Sequence, residues 1–145
     1  MTDMIAPLSS RPDHDDPRKL REMLQKASSL AAHYDLTSVM VGASGAEGDR
    51  LFSEMVDYIG SALRVDDVVC RLTRERAVFL LADANQERAA EIIERLMDGF
   101  RSHFTPARDP HVDLAFFEVT PARPNITVRD VLPSLFESAT TSATH

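Results

Sequence analysis

The 145-residue sequence has a single cysteine, Cys70, so no disulfide can form within the chain, and a reducing cytoplasm is the expected setting. It has no long apolar run. The longest, Ala77 to Ala82, is far short of the roughly 20 residues that span a bilayer, and no membrane contact is expected. The opening MTDMIAPLSS lacks the basic and apolar regions of a secretion signal, so the sequon Asn125-Ile126-Thr127 carries no message. Neither GxxxxGK[ST] nor GxGxxG occurs, which excludes the two standard phosphate cradles. The five histidines, His14, His33, His103, His111 and His145, are scattered with no ligand spacing, and no metal site or cofactor is expected. Basic charge is also short. Sixteen Lys and Arg against 23 Asp and Glu leave a net charge of −7, which argues against a protein that coats nucleic acid. Of the basic residues only Lys19 and Lys26 are lysine. The remaining 14 are arginine, whose planar fork suits phosphate and guanine edges, although GC-rich coding gives the same bias.

What is present is an ordinary globular pattern, 43% hydrophobic and 27% charged, of a length that suits one domain. Residues 1–13 and 139–145 read as mobile tails around a domain at 14–138. Leu20, Met23, Leu24, Ala27, Leu30 and Ala31 recur at helical steps behind Asp15-Asp16-Pro17, an acidic start followed by proline. Residues 36–41 predict a strand that ends at Gly42, and GASGAEG (42–48) predicts a loop. A second helix begins at Asp49 and turns Leu51, Phe52, Met55, Val56, Ile59 and Leu63 inward. The turn RVDD (64–67) leads to a strand at 68–72. Residues 73–76 (TRER) then link it to a strand at 77–82 as a hairpin. A third helix spans about 85–101, with Ala89, Ile92, Ile93, Leu96 and Phe100 inward. A strand follows at 111–119, and Thr127 caps a short last helix that Pro133 bends. Buried among valines, Cys70 reads as a structural thiol.

Without its first and last helices the order is βαββαβ. The expected fold class is therefore α+β: a ferredoxin-like antiparallel sheet with helices on one face, plus an extra N-terminal helix and a short C-terminal helix.

From Gly48 to Asp83 the chain reads GDRLFSEMVDYIGSALRVDDVVCRLTRERAVFLLAD. This resembles the GGDEF, or diguanylate cyclase, family of nucleotidyl cyclase-like domains, whose pattern there is GDxLL, an amphipathic helix, RxxD, five residues, the signature and an apolar strand. The likeness continues through AAEIIERL (89–96) and DLAFFEVTP (113–121), and it implies the βαββαβ core that periodicity gives. The signature itself is replaced by Thr73-Arg74-Glu75-Arg76-Ala77. Its glycines let a triphosphate approach the backbone, and Thr73 and Arg74 obstruct that approach. Glu75 falls at one metal-binding carboxylate position, but its partner's place holds Val41-Gly42-Ala43, and one carboxylate does not hold magnesium for phosphoryl transfer. The helix that supplies a guanine-reading Asn is missing. Asp49 keeps the second guanine-reading position, where it also serves as a helix-terminal acid. The resemblance implies a chain without cyclase activity.

Many members of the family also carry an inhibitory site for their product, cyclic di-GMP, built on RxxD five residues before the signature. Arg64-Val65-Asp66-Asp67 stands at that spacing, and Arg95 matches the further arginine in the following helix. A guanidinium can bond guanine O6 and N7 or clamp a phosphate, and a carboxylate can take guanine N1–H and N2–H. The resemblance thus implies ligand-binding residues Arg64, Asp67 and Arg95 for cyclic di-GMP, bound alone or as a stacked pair that bridges two surfaces. The signal would pass through a protein partner or a homodimer. Other readings of the same residues remain open. Arg64 favours a helix C-terminus, Asp67 pairs with it or caps the turn, and Arg95 pairs with Glu91. On those readings the chain is a ligand-free interaction or dimerisation module, or it retains guanine nucleotide at the old site through Asp49 and Glu75.

Overall fold

The computed structural model describes residues 14–103 and 112–137. The tails expected at 1–13 and 139–145 lie outside the described residues, as do position 138 of the expected domain and His111 at the start of the last expected strand.

Helix α1 (Pro17–Tyr34) begins where the Asp16 side chain accepts the Arg18 N–H, and it ends at a left-handed Asp35. Strand β1 (Ser38–Gly45), helix α2 (Arg50–Ala62), strands β2 (Val68–Thr73) and β3 (Arg76–Leu81), helix α3 (Gln86–His103) and strand β4 (Val112–Val119) follow. Helix α4 (Val128–Leu132) passes into a π-helical turn at Pro133–Glu137, so Pro133 marks a change of helix type. The sheet order is β2-β3-β1-β4 with every pairing antiparallel, which is the ferredoxin-like arrangement expected from the sequence.

Three expectations are corrected. First, β1 does not stop at Gly42. It continues through Ala43 and Ser44 to Gly45, pairing with β3 on one side and β4 on the other. Its small residues are set by packing: a Cβ on Gly42 would lie 2.7 Å from Leu135 Cβ, and one on Gly45 would lie 2.6 Å from the Phe52 ring. Second, the link between β2 and β3 is only Arg74-Glu75. No residue of that turn is left-handed, and Thr73 Oγ1 accepts the Glu75 N–H at 3.2 Å, so glycine is not needed there. Third, both sheet faces are covered. Val39, Val41, Phe79 and Leu81 pack under α2 and α3, while Met40, Cys70, Leu80 and Val119 pack under α1, α4 and the π-helical turn. Covering both faces explains the unbroken apolar runs of β1 and β3, because neither side of those strands meets water.

Burial pushes the Cys70 thiol up to about 11, with the Asp15 charge adding and Lys19 opposing. The unfolded thiol ionises near pH 8.5 whereas the folded one stays neutral, so unfolding is favoured as pH rises from about 9 to 11. Urea melts across that interval should show a loss of about 2 kcal/mol that Cys70→Ala largely removes; equal pH slopes for both proteins would refute it.

Candidate functional site

The turn after α2 is shaped by one carboxylate. Leu63 leaves the helix in an extended conformation, and Asp67 N–H returns to the Arg64 carbonyl at 3.0 Å. Asp67 then accepts four hydrogen bonds. Oδ2 takes the Arg64 backbone N–H at 3.1 Å and Nε–H at 3.2 Å, while Oδ1 takes Arg64 Nη2–H at 3.2 Å and the Ala82 N–H at 2.9 Å. A carboxylate offers about four lone-pair sites, so its capacity is used. The Asp67 side chain is 2% exposed and that of Arg64 is 56% exposed. Arg64 Nη2 also donates to the Ala82 carbonyl, which docks the guanidinium on the end of β3. Its Nη1 has no partner among the described residues, and the side chain as a whole is more than half exposed. The Asp67 hydrogen bonds hold Arg64 above its ordinary basicity, burial opposes this, and the charges of Asp67, Asp83 and Asp66 add to it.

A second contact comes from the other sheet face. Lys26 Nζ on α1 donates to the Asp66 carbonyl at 2.6 Å and braces the turn from behind. Val65, at its tip, is 95% exposed.

Arg95 lies on α3, exposed and without a hydrogen bond or ion pair to Arg64 or Asp67. The expected Arg95–Glu91 pair does not form: Glu91 is held by Arg88 at 3.3 Å. Helices α2 and α3 run antiparallel, with Tyr58 against Phe100 at 5.7 Å between ring centroids. The structure thus brings Arg64 and Asp67 into direct contact, while Arg95 lies on α3, the helix packed beside α2.

The corner that corresponds to the signature is differently built. Glu75 Oε2 accepts the Gly48 N–H at 3.3 Å, and its carbonyl takes the Gly45 N–H at 2.8 Å. Asp49 caps α2 by accepting the Leu51 N–H at 2.9 Å. Val41 and Ala43 are buried and bear no oxygen on their side chains. Among the described residues no group of three or more His, Cys, Asp or Glu is placed to hold a metal. No helix among them is long and apolar enough to cross a membrane.

Sequence reasoning missed Lys26, Ala82 and Asp83. Ala82 contributes only its backbone, which no residue pattern reveals. Asp83 sits at φ 54, a left-handed conformation that Asp tolerates better than most residues, in the Ala-Asp-Ala-Asn connection to α3. That cluster of small and polar residues is a turn signal, and it was the available clue.

A four-stranded antiparallel sheet in this order, with α2 and α3 paired on one face, defines the nucleotidyl cyclase-like α+β fold. Residues 44–121 match the family model described as diguanylate cyclase, GGDEF domain, and the chain belongs to the GGDEF family. Similar solved structures agree on the fold. They include a DGC protein from Thermotoga maritima (13% identity, TM-score 0.60, 81% of this chain and 92% of that one). The FimX GGDEF domain from Pseudomonas aeruginosa has 12% identity and a TM-score of 0.64 over 90% of this chain and 93% of that one. PelD from P. aeruginosa PA14, solved in complex with c-di-GMP, has 20% identity and a TM-score of 0.62 over 86% of this chain. The chain spans 46% of that PelD chain. No curated protein sequence matches.

Proposed function

We propose that this GGDEF-family chain is a catalytically inactive receptor for cyclic di-GMP, with Arg64, Asp67 and Arg95 forming the RxxD site. One observation carries the reading: the Arg64 fork is fixed on a buried carboxylate while its Nη1 has no partner among the described residues. A pre-oriented guanidinium loses little freedom when it meets guanine O6 and N7 or a phosphate. PelD, solved with c-di-GMP, supports the choice of ligand. Inactivity follows from chemistry. The corner offers Glu75 without a second carboxylate across from it, and Thr73-Arg74 replace the residues that must lack a Cβ. Ligand bound at this turn, alone or as a stacked pair, would alter contacts with a protein partner or a second copy through the exposed tip at Val65.

The full use of the Asp67 lone pairs favours a second reading, a ligand-free interaction module in which the RVDD turn is purely structural. Titration calorimetry separates the two. The wild type should bind cyclic di-GMP, and Arg64→Ala should weaken binding about tenfold or more. No heat at high micromolar ligand would overturn the receptor reading, and unchanged binding in Arg64→Ala would move the site elsewhere.

A further inference from the structure

We infer that Lys26 is a positioning residue for the Arg64–Asp67 site, and that through it helix α1 and a ligand on the turn hold each other in place. The inference rests on the receptor reading above and adds a regulating element on the opposite face of the sheet.

Lys26 borders the buried stripe of α1, three residues after Met23 and one before Ala27, and is itself half-buried. Glu22 stands one helical turn before it, at the spacing that favours a Glu–Lys pair. Lys26 does not take that partner. Its ammonium crosses 40 positions of sequence to donate to the Asp66 carbonyl at 2.6 Å. That carbonyl belongs to the same planar peptide unit as the Asp67 N–H, which closes the turn on the Arg64 carbonyl at 3.0 Å. The unit is therefore anchored at both ends, by α1 at its oxygen and by Arg64 at its nitrogen. It also carries the Asp67 Cα, so its tilt sets where the buried carboxylate meets the Arg64 fork and the Ala82 N–H.

The strand that leaves this turn is tied to α1 a second time. Asp15, just ahead of the helix, donates its N–H to the Arg71 carbonyl at 2.9 Å, and its Oδ2 accepts the Arg71 N–H at 2.8 Å. Between these ties Met23, Leu24 and Ala27 share one buried cluster with Cys70 of β2. Helix α1 thus grips β2 from the RVDD turn to Arg71, and a shift of the turn is felt by the helix. Coupling of this kind is reciprocal: whatever a docked α1 adds to ligand affinity, bound ligand returns to the docking of α1. Ligand on the turn is thereby read out on the sheet face opposite α2 and α3.

The test uses the full chain, calorimetry with cyclic di-GMP, and amide exchange at Arg64, Asp67, Ala82 and along α1, each measured relative to the central strand β1. Met matches Lys in length and has no donor. Without ligand, Lys26→Met should speed exchange at Arg64, Asp67 and Ala82 about fivefold, and Lys26→Arg should restore the wild-type rates. Cyclic di-GMP should slow exchange along α1 in the wild type. Lys26→Met should bind about fivefold more weakly and lose that slowing, and Lys26→Arg should recover both. If Lys26→Met keeps wild-type affinity and wild-type exchange at the turn, the coupling is overturned while the receptor stands. Exchange along wild-type α1 that bound ligand leaves unchanged overturns it equally. A wild type that binds no cyclic di-GMP removes the receptor reading and the role of Lys26 in it together.

Discussion

Asp67→Ala should lower the unfolding free energy by about 3 kcal/mol and the melting temperature by about 10 °C. The size of the effect follows from what the carboxylate holds. Its removal leaves the Ala82 N–H without its acceptor at a residue only 4% exposed, and it strips from the Arg64 fork its two bonds to Asp67, leaving only the one to the Ala82 carbonyl. An orphaned buried donor costs about 1–3 kcal/mol, and hydrogen bonds to a charged group contribute about 1.5–3 kcal/mol. Arg64 is more than half exposed, so its share belongs at the low end of that range. Asp67→Asn keeps one oxygen for Ala82 but turns an amide toward a guanidinium, and about half the loss should remain. Denaturant melts of the three proteins settle the matter. A shift below about 1 kcal/mol for Asp67→Ala would mean that the turn does not depend on this side chain.

Gly42→Val should be at least as damaging, with a loss of about 3 kcal/mol or more. Gly42 lies mid-strand in β1, between β3 and β4, beneath the π-helical turn. Its added Cβ would stand 2.7 Å from Leu135 Cβ and 3.3 Å from Phe136 Cζ. Leu135 Cβ is one bond from the backbone, so no rotamer change clears it, and the whole turn must lift from the sheet. Gly42→Ala should lose roughly half as much, since it meets the same atom without the branched methyls. A Gly42→Val protein that melts within about 2 °C of the wild type would place Gly42 in the loop that its composition suggests.

That contrast shows how far the residues speak for themselves. Element type was legible wherever one side chain repeats at one period. Leu20, Met23, Leu24 and Ala27 define α1, while Phe52, Met55 and Ile59 define α2; both helices fall where their spacing puts them. GASG was not legible, because its small residues answer to Leu135 and Phe52, and no local pattern reports a neighbour 93 positions away. The N-terminal helix raised the same difficulty. Its apolar face was plain, but that it lies across the second sheet face follows only from Met40, Leu80 and Val119 needing cover. At the site, Arg64 and Asp67 could be chosen by spacing. That Asp67 is enclosed by the Ala82 backbone is a consequence of packing, and that Glu91 pairs with Arg88 instead of Arg95 is a choice between two exposed neighbours on one helix that spacing leaves open.

The sheet order also governs how the chain can be made. Strand β1 is central, yet its partners come late: Val39 pairs with Leu81, and Ser38 pairs with Val119, 81 positions on. At roughly 5–20 residues per second, a ribosome needs about 4–16 s to deliver that last partner. Until then Val39, Met40 and Val41, all wholly enclosed in the finished protein, have one neighbouring strand at most. Pairings so distant in sequence are slow to nucleate even in the complete chain. Synthesis therefore passes through an interval in which the apolar centre of the sheet stands open to chaperones, or to other nascent copies of itself.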